Sequence, residues 1–379
     1  MKTILTVIGT RPEAIKLAPV LEAINKNKNF INKVCFTRQH TDLLDPFILN
    51  LGISADYEFI NLKESSSLHQ TAAHILTQFS TIFSKSKPDL VIVQGDTSTA
   101  FSAALAAFYS HIPVAHIEAG LRTGNLFSPW PEEAHRCLIS RLASFFFAPT
   151  LIAKHALLSE GVSPDKIWVV GNTSIDALKQ VPRLKKSKES LERMIVVTIH
   201  RRENHGKPLN EIFHALCTIT KEFSDVRIKY ILHPNPAVRK PAIETLSKIT
   251  NIDLEEPKDH PSFLKLLNEC TFLITDSGGI QEEAPYFGKP VLITRDTTER
   301  PEGVLAGTAR LVGTNSSNII ACCKELLQNP HTLAAMSKIH FPYGTGYAAE
   351  QIVNILDRKL NEETHEQKNV EAAYDEAYL

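Results

Sequence analysis

The chain is short of the motifs that would settle its role directly. Its six cysteines form no CxxC pair, and only Cys322 and Cys323 stand close together. Reduced core thiols in a cytoplasmic protein are the reading this leaves. HExxH is absent, and His69 with His74, among fifteen histidines, has the wrong helical offset for one face, so no metal site is expected. There is no GxSxG elbow and no GxGxxG dinucleotide fingerprint. Charge of one sign is also missing: 41 Lys+Arg stand against 42 Asp+Glu. That balance disfavours a dominant nucleic-acid or membrane-surface role. The apolar run at residues 4–8 ends before Arg11 and Glu13, too short for the core of a signal peptide, so secretion by that route is not expected. The longest uncharged stretch, residues 97–117, contains Ser98, Ser102, Ser110, His111 and Pro113, and reads as a buried helix, a loop and a strand rather than a membrane span.

What is present is an ordinary globular composition, 43% hydrophobic, over 379 residues. At roughly 150 residues per domain this predicts two or three domains. Short β-branched runs recur at 3–8, 33–37, 90–94, 114–117 and 167–170, and again at 194–198, 227–232, 272–275, 291–294 and 309–312. Each is followed by Gly, Asp or Ser and then by helical spacing, the pattern of parallel strands with helical crossovers. The fold class expected is α/β, two doubly wound Rossmann-like domains facing an interdomain cleft. The first domain spans residues 1–180, a polar basic linker 181–190, the second domain 191–344 and a last helix 345–360. Residues 361–379, with six acidic residues and one Lys, read as a solvated or disordered tail.

The chemistry-bearing residues fall where strands end. The strand at 3–8 runs into GTRPEAIK (9–16), a glycine turn with Pro12 in a helix's first turn and Arg11 and Lys16 able to reach an anion. A plain helix start with two surface cations is an equal reading. Asp96 in QGDT (94–97) reads first as the N-cap of a helix running through Ala107. Glu118 in HIEAGLRT (116–123) follows an apolar strand directly, and no cap needs it. Glu132 and Glu133 with Arg136 follow a Pro-rich loop. Carboxylates gathered there would have pKa values raised toward acid–base duty, whereas a Glu-rich helix start is the bland alternative. In the second half, His200, Arg201 and Arg202 end one strand, and Asp276-Ser277-Gly278-Gly279 ends another. Backbone N–H groups of such a turn can cradle a phosphate, and a carboxylate one or two turns on can bind ribose.

Together, GTRPEAIK, QGDT, HIEAGLRT, PEE, GNT, HRREN, TDSGGIQEEAP and TERPEG, in this order over residues 3 to 358, resemble bacterial UDP-N-acetylglucosamine 2-epimerases of the non-hydrolysing type. The resemblance implies a glycosyltransferase-B type fold whose last helix returns to the first domain. It implies interconversion of UDP-GlcNAc and UDP-ManNAc by elimination of UDP to 2-acetamidoglucal and re-addition, with no metal or nicotinamide cofactor, in a homodimer supplying surface-polysaccharide precursors. It makes Asp96, Glu118, Glu132 and His200 catalytic candidates. Arg11, Lys16, Arg136, Arg201, Ser277 and Gly278 would hold the diphosphate side, Glu283 the ribose and Phe263 the uracil. Arg300 would meet the nucleotide or an acidic neighbour. A hydrolysing 2-epimerase, a UDP-sugar glycosyltransferase and a non-catalytic nucleotide-sugar-binding protein are the alternatives.

The chain also departs from the family. Thr37-Arg38-Gln39-His40-Thr41-Asp42 stands where TGQH and a basic residue are usual, and Ser65-Ser66-Ser67-Leu68 where Arg-Gln-Thr-Leu is. Those regions help form a second, activating UDP-GlcNAc site in bacterial members. Phe341-Pro342-Tyr343-Gly344-Thr345-Gly346 replaces NPYGDG, and His135 stands for Asn beside Arg136.

Overall fold

The alternation of apolar runs and helical segments produces two parallel sheets in the computed structural model. The structure describes residues 1–39, 52–59, 67–179 and 193–377, from 363 onward as backbone alone. The stretch 181–190, with His40, Thr41, Asp42, Ser65 and Ser66, lies outside the described residues. One unit comprises Met1–Ala177 and Gly344–Leu379, the other Leu178–Tyr343.

In the first unit the strands are β1 (Lys2–Ile8), β2 (Phe30–Phe36), β3 (Tyr57–Glu58), β4 (Leu90–Gln94), β5 (Val114–Ile117), β6 (Phe145–Ala148) and β7 (Ile167–Val169). They lie in the order β3-β2-β1-β4-β5-β6-β7 with every pairing parallel. In the second unit, β8 (Arg193–Thr198), β9 (Val226–Ile231), β10 (Ile252–Glu255), β11 (Phe272–Thr275), β12 (Val291–Ile293) and β13 (Ala309–Leu311) lie in the order β10-β9-β8-β11-β12-β13, again all parallel. Strand order reverses between β1 and β4 and between β8 and β11, the doubly wound arrangement, which opens a crevice at the carboxyl ends of those strands. Three strands were not expected. β3 is only two residues long, β6 is an aromatic FFFA run without a β-branched residue, and β10 carries acids at alternate positions.

Both faces of the first sheet are covered, as a parallel sheet requires. Along β1, Ile4 and Ile8 pack with Leu17, Val20 and Ile24 of the helix Arg11–Lys26. Leu5 and Val7 face the other way, toward Phe79 and Ala103 of the helices Leu68–Lys85 and Ser98–Tyr109. In the second unit, Ile195, Val197 and Ile199 pack with Ile212 and Leu216 of the helix Lys207–Glu222 and with Ile319 and Cys323 of the helix Ser316–Gln328. Burying each such side chain contributes about 1.5–3 kcal/mol. The six cysteines are free, and burial pushes the thiols of Cys35 and Cys323 upward.

The last helix spans Ala348–Ala377 and so continues through residues read from the sequence as a tail. Its first turn is held by the Asp176 carboxylate, which accepts from the backbone N–H groups of Ala348 (3.2 Å) and Ala349 (2.9 Å). Ala348, Ile352, Val353, Leu356 and Leu360 then enter the core shared with β1 and the helix Arg11–Lys26. Ile352→Ala removes a fully buried side chain. It should lower the unfolding free energy by about 2–5 kcal/mol, read as a fall in urea midpoint; an unchanged midpoint would detach this helix from the core.

Candidate active site

In the first unit the polar side chains gather beyond the ends of three neighbouring strands, β1, β4 and β5. Gly9 follows β1 under tight packing, since a Cβ there would meet the Thr99 hydroxyl at 2.0 Å and the Thr37 hydroxyl at 2.6 Å. Two residues on, the chain enters the helix Arg11–Lys26, with Arg11 half-buried at its first position. Glu13 is buried in the first turn of that helix: one carboxylate oxygen accepts from Gly9 N (3.0 Å) and Thr10 Oγ1 (2.8 Å), the other from Thr97 Oγ1 (2.7 Å). Burial pushes its carboxyl up to about 7 against the lowering pull of those hydrogen bonds.

The turn after β4 corrects one sequence expectation. The N-cap of the helix Ser98–Tyr109 is Thr97, whose hydroxyl accepts from Ala100 N at 2.9 Å, and not Asp96. Asp96 thereby keeps its carboxylate for Arg136, which donates to Oδ2 through Nε (2.8 Å) and NH2 (2.5 Å). Arg136 also donates to Glu133 (2.7 Å), whose other oxygen receives the backbone N–H groups of Thr123 (2.8 Å) and Gly124 (2.9 Å). The backbone of the turn is held as well. His116, fully buried in β5, meets the Gly95 carbonyl through Nε2 at 2.8 Å, and burial pushes its ring down to about 4, so it donates as a neutral imidazole.

Glu118 begins the turn after β5 with a φ of 65°, uncommon for a side chain-bearing residue. Its carboxylate forms an ion pair with Lys16 and accepts from Asn172 Nδ2 at 2.9 Å, all three groups being buried. Glu132 opens the helix Glu132–Leu142, four residues before Arg136. Its Oε2 is buried and has no hydrogen-bond partner among the described residues. Lys16 with Glu118, and Arg136 with Asp96, are thus direct pairs.

The second unit has its own cluster beyond β8 and β11. Asp276 is fully buried and accepts from the backbone N–H groups of His200 (3.0 Å) and Arg201 (2.9 Å), from Asn204 Nδ2 (2.8 Å) and from the His200 ring, Nδ1 at 2.9 Å. Burial alone would raise its pKa, but the His200 charge and these hydrogen bonds hold it at about 2. Ser277 and Gly278 open the short helix Gly278–Glu283. A Cβ on Gly278 would lie 2.5 Å from the Arg300 guanidinium, which is anchored by Glu282 (2.5 Å) and Glu299, so a larger residue would have to displace that guanidinium from its acidic partners. Arg300 therefore does meet acidic neighbours. Glu299 is shared further, with Arg295 at 2.9 Å and Arg201 at 3.8 Å. Glu283 meets His260 Nε2 at 2.9 Å, and Phe263 lies half-buried one turn along from His260 on the helix His260–Glu269.

Sequence reasoning assigned no role to Glu13, His116, Asn172, Asp276 or Glu299, and it grouped Glu133 with Glu132 as a candidate acid–base carboxylate, whereas the structure commits Glu133 to Arg136 and the backbone of Thr123 and Gly124. Only Asp276 carried a usable signal, as the first polar residue after an apolar strand.

The family model described as UDP-N-acetylglucosamine 2-epimerase matches residues 22–357. The UDP-N-acetylglucosamine 2-epimerase of Neisseria meningitidis serogroup A is 45% identical over 366 residues, covering 93% of this chain and 98% of that protein. The chain belongs to the UDP-N-acetylglucosamine 2-epimerase family. Among solved structures, the N. meningitidis UDP-GlcNAc 2-epimerase bound to UDP-GlcNAc superposes with a TM-score of 0.89 at 44% identity, covering 94% of this chain and all of that one. S. aureus MnaA with UDP gives 0.90 at 43% identity, covering 95% and 97%. Among the described residues no helix is long and apolar enough to cross a membrane.

Two departures from the family pattern have local explanations. Arg38, where glycine is usual, has a φ of 53°, the left-handed region glycine adopts freely, and its guanidinium pairs with Glu58. His135 stacks on Phe101 with ring centroids 5.1 Å apart and donates from Nδ1 to the Asp96 carbonyl at 2.8 Å.

The Asp276 pKa has a consequence for stability. Because it lies below the ordinary 3.8, the stabilisation is present above that pH and lost as pH falls toward about 2. The stability advantage of the native protein over Asp276→Asn should therefore shrink by about 2 kcal/mol between pH 5 and 2, measured by urea unfolding at each pH. An advantage that stayed constant would contradict the charge-assisted hold on Asp276.

Proposed function

We propose that this protein interconverts UDP-GlcNAc and UDP-ManNAc without hydrolysis, supplying N-acetylmannosamine units for surface polysaccharide. The observation that carries this reading is the carboxylate set of the first unit, Glu118 paired with Lys16 and Asp96 paired with Arg136, in a chain of this family. The proton on sugar carbon 2 is not α to a carbonyl, so simple deprotonation would leave an unstabilised carbanion. Elimination avoids this. A carboxylate takes the carbon 2 proton, the bond from carbon 1 to the diphosphate oxygen breaks, and UDP departs with that electron pair, leaving 2-acetamidoglucal. UDP then adds back at carbon 1 while a proton is delivered to the opposite face of carbon 2.

In this scheme Glu118, Asp96 and Glu132 are the acid–base groups, a role fitted by the unpartnered Oε2 of Glu132. Lys16, Arg11 and Arg136 are the cations of this set for the departing diphosphate. His200, Arg201, Ser277 and the Gly278 amide are the further candidates for the departing diphosphate, Glu283 for the ribose and Phe263 for the uracil. Preorganised donors of this kind stabilise developing charge most when water is excluded, each being worth about 3–4 kcal/mol in the transition state. The protein acts as a homodimer on this reading, with no nicotinamide or metal cofactor in the reaction as written.

Incubation with UDP-GlcNAc in heavy water, followed by proton NMR, should show UDP-ManNAc forming and deuterium entering carbon 2 of both nucleotide sugars. Free ManNAc with UDP would instead mark a hydrolysing enzyme, and retention of the carbon 2 proton without epimer would end the proposal. Glu118→Gln should lower turnover about 100- to 10,000-fold. Its UDP affinity, measured by calorimetry, should stay within a few-fold of the native value, and full activity would remove Glu118 from the chemistry.

A further inference from the structure

The turn that carries Asp96 is not rigid by composition. Gly95 has a φ of 69°, and nothing lies within 4 Å of where its Cβ would be. Its position is imposed by neighbours. On the β5 side, His116 binds the Gly95 carbonyl, His135 the Asp96 carbonyl and Arg136 the Asp96 carboxylate. On the β1 side, Glu13 accepts the Thr97 hydroxyl on one oxygen and Gly9 N and Thr10 Oγ1 on the other. It thus ties the turn bearing Asp96 to the turn preceding Arg11, across the point where the strand order reverses.

We infer that Glu13 is a positioning residue for the reaction: it holds the Asp96 turn in register without touching substrate. The inference rests on the acid–base role proposed for Asp96. Glu13 is 1% exposed, and its two oxygens receive Gly9, Thr10 and Thr97 together, so one carboxylate holds both turns at once. Thr97 Oγ1 already accepts from Ala100 N, which leaves its hydrogen for Glu13. A glutamine at this position has one acceptor and one donor end. The Gly9 amide cannot reverse its polarity, so the glutamine oxygen must turn toward Gly9 and Thr10 and its NH2 group toward Thr97, whose hydroxyl gives up its donation and accepts instead. The substitution therefore keeps the polarity of the bonds to the β1 turn but replaces the bond from the Asp96 turn to a carboxylate by a weaker, reversed neutral one.

Glu13→Gln should melt within about 3 °C of the native protein and bind UDP within about threefold, while kcat falls about 10- to 100-fold. A second substitution separates this from general damage. Thr97→Val alone should lower kcat about tenfold, but in the Glu13→Gln background it should cost less than about twofold further, because both remove the donation from the Thr97 hydroxyl to the Glu13 carboxylate. The loss of the helix cap, which does not involve Glu13, should lower melting temperature equally in both backgrounds. Native kcat in Glu13→Gln, a matching loss of UDP affinity, or kinetic effects that simply multiply would each overturn the assignment. A native protein with no epimerase activity fails earlier and differently, overturning the Asp96 reading and the role of Glu13 with it.

Discussion

Buried carboxylates need donors, and the site in each unit is arranged around meeting that need. An isolated ionised carboxylate out of water costs several kcal/mol even after relaxation. Glu118 meets the demand with Lys16 and Asn172, Asp96 and Glu133 with Arg136, Asp276 with His200 and three N–H donors, and Glu299 with Arg295 and Arg300. Glu118 with Lys16, Asp96 with Arg136 and Asp276 with His200 draw partners from different strand ends, so those loops cannot drift independently, whereas Glu299, Arg295 and Arg300 all follow β12. The contrast is clearest between Glu13, which has no cation beside it among its hydrogen-bond partners and is pushed up by burial to about 7, and Asp276, held at about 2 by His200 and its hydrogen bonds.

The doubly wound sheet explains why such different loops can meet. Parallel strands place all their carboxyl ends on one edge, and the reversal of order beside β1 leaves its neighbour β4 delivering a turn from the opposite direction. Glu13 sits at that reversal, and the second sheet repeats the device with His200 after β8 and Asp276 after β11. The near-zero net charge of the chain conceals this local organisation of carboxylates and cations.

Much of this was legible in the sequence, and what was not has physical causes. Runs such as LVIVQ and FLIT announce buried strands, whereas FFFA and IDLE reach the sheet through tertiary packing that no periodicity records. Glu118 stood out because no helix needed it as a cap. Asp96 was misread because two good caps are adjacent, and Thr97 takes the role. Glu13 was hidden by position: an acid in a helix's first turn ordinarily faces solvent and the helix dipole, and only the fold buries it against the neighbouring turn. His116 looked like one polar residue in an apolar strand, although it holds a turn from a neighbouring strand.

The central claim is that these charges exist to let UDP leave carbon 1 and return. The most direct test uses UDP-GlcNAc with oxygen-18 in the bridge between carbon 1 and the β-phosphate. Departure frees the β-phosphate oxygens to exchange places before re-addition, so the label should scramble into non-bridging positions as epimerisation proceeds, visible by phosphorus NMR. A label that stays wholly in the bridge while carbon 2 inverts would contradict the account.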